Sequence, residues 1–324
     1  MALRRRFSSW IAVSGWLITS ACSPSRGQLE QLPPRGILYT SQAPNGAENL
    51  RLLNPISGAS TIVVAGDANS SRSLGAWSPD SRRIAWIQES ATNDQLFVRD
   101  TLERDATRIG SKLPRAVMFP DWAPDGKRIA VSAGDSASHP GVYVVDVATG
   151  GARPIRVDAS SYRCPSWSPQ GDRFVVAAYA NAMSAVLILD TLGAVLDSVV
   201  RSDSTYLDCP QWSPKGDEVL FTIFHGGGLS GWDRPAFHSN LAIVSLVQRT
   251  TKMVTRDSGL TNYGRWSREG LWIVFQSDRH ASPITEESGV AQMMRNLEIW
   301  IVRRDGSGLR RLTSNSYFDA HPSW

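Results

Sequence analysis

Five histidines are the side chains here best suited to chemistry: His139, His225, His238, His280 and His321. Imidazole exchanges protons near neutral pH and binds transition metals. The carboxylates Asp233, Asp278, Glu286 and Glu287 share stretches of sequence with three of them. Imidazole and carboxylate together are the donor set of a metal-assisted lyase or hydrolase. The spacing, however, is open: no His-x-His or His-x3-His pair pre-forms a site, so no metal and no other cofactor is expected. A second group is built for contact rather than catalysis. Trp232 and Arg234, flanking Asp233 in the segment GWDRP, are residue types that anchor protein interfaces, and Arg279 stands next to His280. No Gly-x-Ser-x-Gly elbow, Gly-rich phosphate loop, Cys-x-x-Cys pair or calcium loop occurs. No catalytic residue is assigned.

The first 21 residues have the order of an export signal. Arg4, Arg5 and Arg6 precede an apolar run from Trp10 to Ala21 that is too short to span a bilayer, and small residues lead into Cys22. The pattern is that of a bacterial lipoprotein, with Cys22 becoming the lipidated end, although Thr19 stands where such sites usually carry Leu. Arg4-Arg5-Arg6-Phe7 also fits a twin-arginine export pattern. Acyl chains on Cys22 would hold the protein at a membrane surface without a spanning helix. Removing the three arginines lowers the formal charge from +4 to +1, and no basic run remains to follow a phosphate backbone, so nucleic acid is not an expected partner.

The elements that must position these residues are repeated. Trp77, Trp122, Trp167, Trp212, Trp266 and Trp324 are separated by 45, 45, 45, 54 and 58 residues, a period that suits one four-stranded propeller blade. Turn sequences follow five of them: SPDS, APDG, SPQG, SPKG and SREG. Pro fixes φ at the first central position of a type I turn. The segments after each turn, such as RRIAWIQ and KRIAVSA, alternate or run apolar over strand length, and a third and a fourth strand follow. Helical periodicity is absent beyond the leader. The last copy, FDAHPSW, carries only the first strand of a unit, and GILYTS, NLRLLNP and STIVVAG near the start supply the other three. Pairing the two ends is therefore expected to close a ring of six blades and remove the open sheet edge.

WSPDSRRIAW and WAPDGKRIAV resemble the propeller repeats of the bacterial periplasmic TolB family, and similar repeats precede the hydrolase domain of prolyl-oligopeptidase-type enzymes. The resemblance covers nearly all of the chain beyond Cys22. It implies an all-β, six-bladed propeller of four-stranded antiparallel blades over residues 36–324, preceded by a signal peptide (1–21) and a flexible linker (22–35), with the Trp strand innermost in each blade. TolB proteins carry an α/β domain before the propeller, for which the linker leaves no room.

An innermost Trp strand implies two distinct faces. The Pro-containing turns lie on one. The connections between second and third strands lie on the other, with all five histidines and the two long insertions that enlarge the last repeats. Residues three positions before each Trp, namely Leu74, Phe119, Cys164, Cys209, Tyr263 and His321, are then expected at the channel mouth. They are mostly apolar and bring no charges together. Cys164 and Cys209 occupy equivalent places in neighbouring blades, where inner strands are expected to hold Cα atoms beyond disulfide reach, as two buried thiols. The sequence thus points to a monomeric, exported, outer-membrane-anchored lipoprotein of the periplasm or cell surface. It would bind envelope proteins or polymers through His225, Trp232, Asp233, Arg234, His238, Asp278, Arg279 and His280. The alternative is a metal-assisted polysaccharide lyase or hydrolase using the histidines of that face, a chemistry known in some pectin-degrading propellers.

Overall fold

Each repeat folds as the alternation of apolar residues dictates. The computed structural model describes residues 36–324 apart from 44–45, 68, 137–139, 159, 226–237, 281–295 and 316. Among the described residues the chain forms twenty-four strands in six four-stranded antiparallel sheets, and no helix.

Blade 1 contains β1 (Ile37–Gln42), β2 (Glu48–Leu53) and β3 (Ser60–Val64). Blade 2 runs through β4 (Ser70–Trp77), β5 (Arg83–Ser90), β6 (Gln95–Asp100) and β7 (Thr107–Ile109). Blade 3 comprises β8 (Ala116–Trp122), β9 (Arg128–Gly134), β10 (Gly141–Asp146) and β11 (Ala152–Arg156). In blade 4 the strands are β12 (Ser161–Trp167), β13 (Arg173–Ala180), β14 (Met183–Asp190) and β15 (Val195–Ser202). Blade 5 has β16 (Tyr206–Trp212), β17 (Glu218–His225), β18 (His238–Ser245) and β19 (Thr251–Met253). Blade 6 has β20 (Thr261–Trp266), β21 (Trp272–Ser277), β22 (Glu298–Arg303) and β23 (Arg310–Arg311). Last in the chain, β24 (Asp319–Ser323) joins β1, pairing Ser323 with Leu38 and Ala320 with Thr40, so blade 1 is built from both ends and the ring closes as expected.

The repeated residues have distinct jobs. The Trp strands touch one another around the axis. Their indoles fill the gaps between blades: Trp122, Trp167, Trp212, Trp266 and Trp324 are buried. Trp122 Nε1 donates to the Ala76 carbonyl of the preceding blade at 3.2 Å, and Trp77 Nε1 to the Gly36 carbonyl at 3.1 Å. Arg83 lies 4.8 Å from the Trp122 ring and Arg128 4.6 Å from that of Trp167, capping each indole with a cation from the neighbouring blade. After the Trp, Ser78, Ser168, Ser213 and Ser267 each accept through Oγ the backbone N–H five residues on, which holds the turn closed. The turn's fourth residue is left-handed. Gly126, Gly171, Gly216 and Gly270 have φ of 64–80°, and Ser81 adopts 62° without a glycine's freedom.

Connection lengths differ between the faces. The Trp strand reaches the next strand through five residues in each of blades 2 to 6 (for example 78–82 and 267–271). On the opposite face the second-to-third-strand connections hold 5, 4, 6, 2, 12 and 20 residues, taken in blade order.

Candidate functional site

Two regions carry functional side chains: the face with unequal connections, and the axial channel. On the uneven face, His225 and His238 are cross-strand partners at the open end of β17 and β18. Their rings stack at 4.8 Å. Burial, then the neighbouring His238, lowers the pKa of His225. In blade 6, Arg279 is braced by the Asp257 carboxylate at 2.8 Å and by Thr261 Oγ1 at 3.0 Å, and lies near the rings of Phe275 and Trp300 at 5.1 and 5.2 Å. Asp278 Oδ1 accepts the Leu260 N–H at 2.7 Å. Burial pushes the carboxyls of Asp257 and Asp278 upward, with Arg279 opposing in both. His280 lies 6.3 Å from Trp300 and is also held below the ordinary histidine value, first by burial and then by Arg311.

Of the face residues singled out in the sequence, five are thus placed: His225 pairs with His238, and Asp278 and Arg279 share a network, with His280 beside it. Trp232, Asp233, Arg234, His139, Glu286 and Glu287 lie outside the described residues, as does Cys22. Sequence reasoning missed Asp257 and Trp300. Asp257 sits between β19 and β20, in a connection that shares this face, so the topology itself was the overlooked signal.

The residues three before each Trp converge on the axis through a backbone device repeated six times. Leu74, Phe119, Cys164, Cys209, Tyr263 and His321 all have φ between 43° and 56°. Each coincides with a register shift against its neighbouring strand. These are β-bulges with a left-handed non-glycine residue. Phe119 and Tyr263, from opposite blades, stack at 5.8 Å across the axis, and His321 meets Tyr263 edge-on at 4.9 Å. Cys164 and Cys209 form a disulfide with Cα atoms 4.8 Å apart, which corrects the expectation of two thiols out of reach. Both cysteines are the bulged residues of adjacent inner strands, and the bulges bring their backbones within bridging range.

Two further expectations are corrected. Charges do gather at the axis. Position four before the Trp supplies Arg163 and Asp208, and position one before it supplies Asp121 and Arg265. Tyr179 Oη lies 2.8 Å from Asp208 Oδ1 and stacks on Tyr206 at 4.3 Å, while Arg163 reaches Tyr206 Oη at 3.3 Å. Burial opposes the Arg163 charge, but Asp208 and the tyrosines hold it firmly protonated. Burial raises Tyr206 and Tyr263 to about 12. His321 is the other correction. It is not on the uneven face but in the channel, where burial, with Arg265 and Arg163 nearby, lowers it to about 4.

Beyond the aromatic plug the channel widens into a cavity of about 320 Å³ that opens on the face of equal turns, between Pro79, Pro124, Pro169 and Pro214. Among the described residues, three metal-ligating side chains come within 4.8 Å of one another only at Cys164, Asp208 and Cys209, and there the two sulfurs are bonded to each other.

Known structures share this architecture. TolB from Acinetobacter baumannii superposes with a TM-score of 0.65 at 17% identity, over 90% of this chain and 66% of its own. The chain thus spans just under two thirds of that protein. A TolB-type chain from Agrobacterium tumefaciens gives 0.65 at 15% identity, over 88% and 91% of the two chains. An oligogalacturonate lyase solved with manganese gives 0.52 at 15% identity, over 87% and 73%. No curated protein matches by sequence. The model of the TolB beta propeller domain matches residues 45–231, more than half of the sequence and four of its six Trp repeats. With its repeats, blade architecture and ring closure in agreement, the chain belongs to the TolB beta propeller domain family.

Proposed function

We propose that this protein is an exported, lipid-anchored binding scaffold that docks an envelope protein or polymer through its uneven face. The observation carrying this reading is the contrast between faces: five-residue turns throughout on one, connections of 2 to 20 residues on the other. Loops on a rigid scaffold vary where they contact partners, whereas turns that only complete a blade stay uniform. The two longest connections, 226–237 and 278–297, belong to adjacent blades and so flank one patch. His225, His238, Asp278, Arg279 and His280 form its described part, and Trp232, Asp233 and Arg234 belong to the longer connection of blade 5. Lipidation at Cys22 would tether a monomeric propeller to the outer membrane, leaving that face for periplasmic or cell-surface partners. Propellers of this family host varied functions, so the docking role rests on this face and not on the fold.

The paired imidazoles favour a second reading, metal-assisted polysaccharide cleavage, because His225 and His238 stack at 4.8 Å on the same face. Two measurements separate the readings. Replacing residues 226–237 by a short Gly-Ser linker is expected to abolish capture of a specific partner from solubilised membranes; an unchanged partner list refutes the docking face. Stoichiometric manganese or zinc in the purified protein, lost in His225→Ala and His238→Ala, would establish the lyase reading instead.

A further inference from the structure

The geometry points to the axial cavity as a binding site for a small carboxylate that also carries a hydrogen-bond donor, such as a hydroxy acid or an amino acid. The cavity, about 320 Å³, lies at the lower end of the range for small-molecule sites. It opens on the face of equal turns, away from the proposed docking face, and does not depend on that reading.

Its lining is polar where the blades' inner strands end and apolar at the base. The residues one before each Trp supply Asp121, Ser166, Gln211, Arg265 and Ser323, and the base is the plug of Phe119 and Tyr263. Arg265 carries five N–H donors, yet its hydrogen bonding among the described residues is one long contact, 3.5 Å to the Gly264 carbonyl. No carboxylate of the described residues closes an ion pair with it within 4.0 Å. A guanidinium enclosed by protein with unmet donors is a fork for a carboxylate. Gln211 and Ser323 stand in the blades on either side of it, so polar groups cluster on that wall. The buried Nδ1 of His321, on the same side, also lacks a partner among the described residues.

The opposite wall sets the ligand's other end. Asp121 comes from blade 3, three blades from Arg265, and one of its oxygens is committed to the Trp167 N–H at 2.8 Å. Its remaining oxygen disfavours a second anion and accepts a hydroxyl or ammonium donor. A carboxylate on Arg265 with a donor toward Asp121 therefore spans the cavity, resting on the Phe119–Tyr263 plug.

The test is titration calorimetry on the full chain with L-serine, D-lactate, L-malate and acetate, each beside its methyl ester. At least one of the first three is expected to bind one-to-one, more tightly than acetate, with its ester at least about tenfold weaker. Arg265→Gln is expected to weaken binding by about tenfold or more. Should that variant fold poorly, Ser323→Phe fills the cavity from its rim, leaves Arg265 in place, and is expected to block binding with the melting temperature retained. No heat from any acid at 10 mM, or binding that survives both Ser323→Phe and esterification, overturns the proposal.

Discussion

Reducing the Cys164–Cys209 bridge should loosen the propeller by a calculable amount. The two cysteines are 45 residues apart in sequence. Cross-linking a loop of that size removes denatured-state entropy equivalent to about 4 kcal/mol, and real bridges often deliver less, so a loss of about 2–4 kcal/mol is expected. For a domain of this size the unfolding entropy is roughly 0.6 kcal/mol/K, which converts the loss to a fall in Tm of about 3–7 °C. The assay is thermal unfolding of a Cys22→Ser chain, purified without reductant, before and after treatment with a phosphine. Mass spectrometry after alkylation reports the thiols directly. A Cys164→Ala/Cys209→Ala variant should show no response to reductant, which separates the bridge from side effects of the reagent. Two alkylated thiols in the native untreated protein, or a Tm indifferent to reduction, would refute the reasoning, because the axial bulges would then hold the sulfurs apart.

Two further predictions concern local energetics. Ser81 adopts the left-handed conformation that glycine takes in four equivalent turns; Ser81→Gly should raise stability by about 0.5 kcal/mol after the glycine's entropic cost, read as a higher urea midpoint at unchanged slope, and a lower midpoint would contradict it. Glu48 is raised to about 7, first by burial and then by Glu89; its folded-state value exceeds its free value, so the stability it contributes is complete below about pH 4.5 and is lost as pH rises through 7. Glu48→Gln should therefore gain stability over the parent between pH 5 and pH 8, and an equal difference at both would dismiss the assignment.

The blade plan was legible because it rests on local chemistry that repeats. The Trp spacing, the turn residues and the alternation in segments such as KRIAVSA needed no tertiary information, and the half-unit FDAHPSW required a partner that GILYTS supplied. The axis was not legible in the same way. A regular pleat turns the residues three and four before each Trp to opposite faces, which hid the approach of Arg163 and Asp208 to the channel. The bulge that breaks the pleat had a signal: Pro120, Pro165, Pro210 and Pro322 sit inside central strands, where proline marks a bulge. The same bulges explain the disulfide, which regular strand spacing made improbable. On the uneven face, the pairing of His225 with His238 follows from hairpin register, whereas the bracing of Arg279 by Asp257 joins residues 22 apart in sequence and has no local signature.

Hydrogen–deuterium exchange on the protein with its captured partner tests the docking face most directly. New protection is expected at the ends of β17 and β18 around His225 and His238 and at Asp278 to His280, with the turns at Pro79, Pro124, Pro169 and Pro214 exchanging as in the free protein. Protection centred on those turns, with the histidine-bearing ends unchanged, would place the partner on the opposite side of the ring and contradict the account.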